Sequence, residues 1–180
     1  MSQNIVLLSG SPRKDGNTDK LAAAFIEGAK SSGKTVRLFR TADMEIGGCI
    51  GCQSCFAKGG VCFQNDDMEQ IIEKLRIADA IVFASPIYFF AISAQLKLAI
   101  DRTYALLKET TSIKRTALLL TCADIPSDEA EAGVVLSYQK MAVYKKWEDA
   151  GFVVAPELRG KDDIVGRPEL EQARKLGQEI

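Results

Sequence analysis

Histidine is absent from all 180 residues. Its absence removes Ser–His and Cys–His nucleophilic schemes, the commonest metal ligand and the usual proton shuttle near neutral pH. An excess of either charge is missing too. The net charge of -1 leaves no general footprint for nucleic acid, and none is expected as a partner. No apolar run is long enough to span a bilayer, so no membrane association is expected. The start, Met1-Ser2-Gln3-Asn4, carries no basic region before the apolar run that follows. No secretory signal is visible, and a cytoplasmic location is expected.

What the chain does hold is five cysteines and an alternation of strand-like and helix-like patterns. In a reducing compartment, cysteines are more often ligands or reactive groups than disulfides. The length fits one domain over 1–180 with a sizeable core. Ile5 to Leu8 reads as a buried strand. Leu21, Phe25 and Ala29 recur at spacing four and mark a helix that ends near Gly33. Thr35 to Phe39 is a second strand, followed by a glycine- and cysteine-rich loop at 47–65. Asp66, with Glu69 three residues on, caps a helix striped by Met68, Ile71, Ile72 and Leu75. Asp79 to Ala84 is a third strand, apolar throughout its interior as in a covered parallel sheet. Ser85 to Phe90 is expected as a loop. Ile92, Leu96, Ala99, Ile100 and Thr103 mark the next helix, and Thr116 to Thr121 a fourth strand. A helix over Glu131 to Ala150, a fifth strand over Phe152 to Ala155 and a helix opened by Pro168 complete the chain.

This alternation predicts an open α/β fold: a five-stranded parallel sheet in the order 2-1-3-4-5, with helices on both faces. Its switch point lies between strands 1 and 3, where such sheets bind ligands beyond the carboxyl ends of their strands. The loop Leu7 to Thr18 leaves strand 1 there. It is rich in glycine and hydroxyl groups and runs into a helix N-terminus, which makes it a phosphate site in prospect. Ser9, Ser11, Asn17 and Thr18 add side-chain donors and Arg13 adds charge. The same residues also suit a plain polar turn with a helix cap. This loop matches neither the dinucleotide fingerprint nor the Walker A pattern. The segment after strand 3, Pro86-Ile87-Tyr88-Phe89-Phe90, is aromatic at an edge that usually meets water. Beside a phosphate loop it suits a ligand with an anionic tail and a flat ring, such as FMN; core capping or a subunit contact are the other readings.

Gly10-Ser11-Pro12-Arg13 through Asn17-Thr18, Ala84-Ser85-Pro86-Ile87-Tyr88 and Lys97-x3-Asp101-Arg102 together resemble the NADPH-dependent FMN reductase family of flavodoxin-like proteins. The resemblance covers Ile5 to about Arg102. It implies an FMN-dependent oxidoreductase whose phosphate is held by Ser9, Ser11, Pro12, Arg13, Asn17 and Thr18. It implies that Pro86, Ile87, Tyr88 and Phe89 pack along the ring, with Thr121 and Cys122 near it. Use of NAD(P)H rests on this resemblance alone, and no protein acid or base is called for, because the chemistry belongs to the flavin.

Cys49-x2-Cys52-x2-Cys55-x6-Cys62 is the second specific signal. Three cysteines at successive x2 spacings suit three irons of a cubane, and the fourth closes it. Nearby glycines let the backbone wrap closely. The spacing resembles the iron–sulfur flavoprotein branch of the same family, which carries a [4Fe-4S] cluster with FMN. That branch implies a homo-oligomer, a dimer or tetramer in which cluster and flavin of neighbouring subunits approach, and a ferredoxin-like electron donor. Structural zinc, redox-active thiols and a loop that holds no metal stay open at this stage, as do a clusterless FMN or quinone reductase and a non-enzymatic redox or metal sensor. Cys122, at the end of strand 4, also reads simply as a small buried hydrophobe.

Overall fold

The computed structural model describes residues 3–123 and 131–180. Met1 and Ser2 of the N-terminal reading lie outside the described residues. The elements follow in order: β1 (Asn4–Ser9), α1 (Asn17–Ser31), β2 (Thr35–Arg40), α2 (Ser54–Ala57), α3 (Met68–Arg76), β3 (Ala80–Tyr88), β4 (Ala91–Ile92), α4 (Ala94–Arg102), β5 (Arg115–Thr121), α5 (Ala132–Lys145), β6 (Glu148–Ala155) and α6 (Pro168–Glu179).

The sheet runs β2-β1-β3-β5-β6, all parallel, which is the expected order of the long strands. A short antiparallel strand absent from the sequence reading, β4, is added beside the end of β3. Alternation sets the two faces. Ile5 and Leu7 of β1 pack with Leu21 and Phe25 of α1 and with Ala173 and Leu176 of α6. Val6 and Leu8 pack with Ile71 and Leu75 of α3, Leu96 of α4 and Tyr138 of α5. Helices therefore cover both faces, and the central strands are apolar on both sides because neither side meets water.

Four boundaries differ from the sequence reading, the first being Ile92, expected in a helix but paired in β4, so that α4 begins at Ala94. Ser85 to Tyr88 is not a loop: β3 continues through it, pairing Pro86 with Thr121, and returns as a hairpin with Ile87 opposite Ile92. Pro86 is tolerated because β1 has already ended, Ser9 being opposite Ala84, so no partner on that side needs its missing N–H. The helix expected to reach Ala150 stops at Lys145, where Lys146 takes a left-handed φ of 57°. The last strand accordingly begins at Glu148 rather than Phe152. Among the described residues no helix is long and apolar enough to cross a membrane.

Candidate cofactor site

The carboxyl ends of β1, β3 and β5 meet at one edge. α1 begins there behind Gly16, and no side chain caps it, so its first-turn N–H groups face the loop unclaimed by a cap. Ser11, Arg13, Asn17 and Thr18 from the first loop share one hollow with Pro86, Ile87 and Tyr88 from the end of β3. Thr121 and Cys122 at the tip of β5 close its floor. Three segments far apart in sequence thus converge as the topology requires. Gly10 makes the approach possible: a Cβ there would collide with Ser93 Oγ and Leu96 Cβ at the start of α4.

The expected site residues do not all behave alike. Ser9 is 1% exposed and does not line the hollow; its Oγ is buried without a partner. By alternation with Leu7 it lies on the α1 side of the sheet, beneath the loop. Ser11 folds onto its own turn, donating from Oγ to Arg13 O and accepting from Arg13 N, both at 3.3 Å. The Asn17 side chain is already engaged: its amide donates to Gly160 O at 2.7 Å and its carbonyl oxygen accepts from Ile164 N at 3.4 Å. Asn17 therefore braces the chain before α6 with one amide N–H and its carbonyl oxygen, while also lining the hollow. Thr18 and Thr121 share a buried hydroxyl–hydroxyl bond of 2.7 Å that ties α1 to β5. Pro12 is exposed and outside the lining. Phe89 is 99% exposed at the hairpin tip, where it and Phe90 have φ of 47° and 60°.

The hollow measures about 130 Å³ among the described residues. That falls below the roughly 300–1,000 Å³ of sites that enclose a ligand, so it seats one end of a larger molecule. An orphaned buried hydroxyl, an uncapped helix N-terminus and a single charged lining residue, Arg13, fit the phosphate end of FMN. A larger apolar hollow of about 400 Å³ lies between α4, α5 and the far side of the hairpin. Gly28 to Thr35 spells a Walker A pattern letter for letter, but it runs from a helix into a strand, the reverse of a phosphate loop. Lys34 there donates to the carbonyls of Gly177 and Gln178 and caps α6.

The cysteine loop follows β2 on the same edge. Cys49, Cys52, Cys55 and Cys62 all line one small hollow with Tyr104 and Arg102. Cys49 and Cys52 are exposed and Cys55 is buried. The Ser54 hydroxyl, 3.3 Å from Cys52 Sγ, holds that thiol below its usual range. The donors are right in kind, number and place for a cluster, yet they do not converge: among the described residues no three Cys or acidic side chains are grouped closely enough to hold a metal ion.

Sequence reasoning missed what holds this loop. Arg102, at the end of α4, is 3% exposed and forms a two-pronged pair with Asp66, at 2.6 and 3.0 Å. The cap of α3 falls one residue later than expected, at Asp67, whose side chain makes no cap bond; Asp66 precedes it, accepts from Met68 N at 3.2 Å and faces Arg102. Burial disfavours its charge, while Arg102 and the amides of Gly47 and Met68 outweigh that and hold its carboxyl below the usual range. The signal in the sequence was the Asp101-Arg102 pair in the family motif, whose partner lies far away along the chain.

The NADPH-dependent FMN reductase family model matches residues 3–146. An iron-sulfur flavoprotein of Archaeoglobus fulgidus is 32% identical over 178 residues, covering 95% of this chain and 76% of that protein. Iron-sulfur flavoprotein MJ1083 of Methanocaldococcus jannaschii is 38% identical over 99 residues, covering 55% of this chain; the match spans about half, 51%, of that relative's length. Among solved structures, an NAD(P)H:quinone oxidoreductase from Methanothermobacter marburgensis shares the fold, with a TM-score of 0.78 at 18% identity over 99% of this chain and 96% of that one. A hollow shaped for a phosphate beside an apolar strand end, and a family match across most of the sequence, agree. The chain belongs to the NADPH-dependent FMN reductase family, on the branch of the iron–sulfur flavoproteins, and is an FMN-dependent oxidoreductase.

Proposed function

We propose that this protein is a two-centre electron carrier, with FMN in the hollow at the ends of β1 and β3 and a [4Fe-4S] cluster on Cys49, Cys52, Cys55 and Cys62. The observation that carries the reading is that all four cysteines line one hollow on the sheet edge that also presents the uncapped start of α1. The flavin supplies hydride and single-electron chemistry when bound, and the cluster single-electron storage.

The chain's part is to hold and orient. Backbone N–H groups of the first loop and of Asn17 and Thr18 receive the phosphate, with Arg13 as counter-charge. Pro86 and Ile87 form an apolar wall, and half-exposed Tyr88 lies at its open end, where the hollow is too shallow to enclose a ring. No carboxylate lines the described hollow, so an anion meets no repulsion.

Anaerobically purified protein tests this directly. The expected absorption spectrum has flavin bands and a broad visible shoulder, with iron and acid-labile sulfide in equal amounts. Flavin without iron refutes the cluster. Such a result selects the second reading, a clusterless NAD(P)H-dependent FMN or quinone reductase, which the unconverged thiols favour. Steady-state NAD(P)H oxidation separates a reductase from a carrier fed by a ferredoxin-like protein. A homo-oligomer that brings two centres together belongs to the same proposal and is read by sedimentation. Family membership sets aside the non-enzymatic sensor.

A further inference from the structure

The cysteine loop has almost no regular structure of its own. Within it α2 is four residues long, and the backbone turns through positive φ at Gly51, Gln53, Gly59 and Gly60. Its ends are held instead by one side chain from outside. Arg102 Nη1 donates to Gly47 O at 2.8 Å, where the loop begins, and to Gln64 Oε1 at 3.3 Å, where it ends. Gln64 in turn donates to Gly48 O at 3.1 Å, and Gly47 N donates to Asp66 Oδ2 at 3.0 Å. All four cysteines of the motif lie between these fastened points.

One nitrogen of the guanidinium is left over. Arg102 Nε is buried and makes no hydrogen bond. Arg102 and Cys62 border the same two hollows, one on the cysteine side and one toward α3. A buried N–H without an acceptor is costly, and it is retained where a ligand or a second state supplies the acceptor.

We infer that Arg102 is the positioning residue of the cysteine loop: its guanidinium fastens the loop at both ends and keeps Nε–H for the sulfur of Cys62. The fastening follows from the fork geometry. The planar fork grips both oxygens of Asp66 and so holds Nη1 against Gly47 O and Gln64 Oε1, a two-pronged geometry that a point-like ammonium does not reproduce. Closing the loop in advance removes entropy that ordering four thiols would otherwise cost. The sulfur bond has a different effect. A donor and positive charge beside a ligand sulfur stabilise the more negative, reduced state, so its loss moves the potential down. This second half rests on the cluster proposed above; the fastening does not.

The test compares the full chain with Arg102→Gln, Arg102→Lys and Gln64→Ala. In metal-free protein, iodoacetamide labelling of each cysteine is followed by peptide mass mapping. Both Arg102 variants are expected to label roughly tenfold faster at Cys55, which is buried in the parent, and rates there within about twofold of the parent overturn the fastening. Gln64→Ala removes one fastening point, leaves the Asp66 pair and should give a smaller acceleration; it carries the test if the Arg102 variants fail to fold by circular dichroism. In iron-loaded protein, Arg102→Gln is expected to shift the midpoint potential to more negative values, with Arg102→Lys in between. An unchanged potential at unchanged iron content overturns the sulfur contact. If the parent chain binds no iron, the sulfur contact fails together with the cluster, whereas the labelling comparison still decides the fastening.

Discussion

The hollow proposed for the flavin and the cysteine loop sit on one sheet edge but are built from different materials. The flavin hollow is made of strand ends, first-turn amides and short hydroxyls, most of them fixed by the sheet itself. The cysteine loop supplies its donors on side chains, along a backbone that wanders through left-handed turns and is fastened by one distant arginine. A site made by topology tolerates loss of most side chains, its one lining charge Arg13 apart, and suffers when the backbone is displaced. A site made by a fastened loop does the reverse.

That contrast is broken or sharpened by four measurements. The largest effect belongs to Asp66→Ala. Removing one partner of a buried ion pair strands the other, so chemical denaturation should show a loss of about 3 kcal/mol, with iron content falling while FMN is retained. Equal loss of FMN and iron would show that the two centres are not separately built. Next comes Gly10→Ala, whose methyl has to push into Ser93 and Leu96. Overpacking there should cost about 1–3 kcal/mol in unfolding experiments and release FMN before iron. Third is the double variant Arg13→Ala, Thr18→Ala. It loses the counter-charge and the 2.7 Å bond to Thr121, at about 1 kcal/mol of stability, and should purify with much less flavin. Full flavin in that preparation would place the phosphate elsewhere.

The smallest effect is one of pH. Because Asp66 is held below its usual range, the folded state binds fewer protons there than the unfolded chain. Its contribution is complete above the ordinary carboxylate value of about 4 and disappears only as pH falls through the lower folded value. Proteolysis of the cysteine loop should therefore stay flat from neutral pH down to about 4 and rise below it. A rise beginning near neutrality would mean that another group fastens the loop.

Much of this was legible in the residues. Continuous apolar runs such as Ala80 to Ala84 gave the covered strands and hence their order, because a strand buried on both faces has nowhere to place polar residues. The hairpin after β3 was not legible. Two-residue turns with positive φ normally announce themselves by Asn or Gly, and here Phe89 and Phe90 occupy them, just after a proline that reads as a breaker. The end of α5 was hidden similarly, since a lysine rather than a glycine takes the left-handed position. In the flavin hollow the backbone part was readable from the strand–loop–helix pattern, whereas the true employment of Asn17 was not, because its partners, Gly160 and Ile164, are remote. The Arg102–Asp66 pair was invisible for the same reason. Long-range polar contacts leave no periodic trace.

α4 touches both centres. Its N-cap, Ser93, donates to Gly10 O at 2.8 Å, and its last residue is Arg102. At about 1.5 Å per residue its nine residues form a rod of about 13 Å with a hook at either end. The spacing between the first loop and the cysteine loop is thereby set like a gauge block. One residue inserted midway would lengthen the rod only slightly but swing the far hook by about 100°, off Asp66 altogether. The length of that helix is the dimension on which both attachments depend.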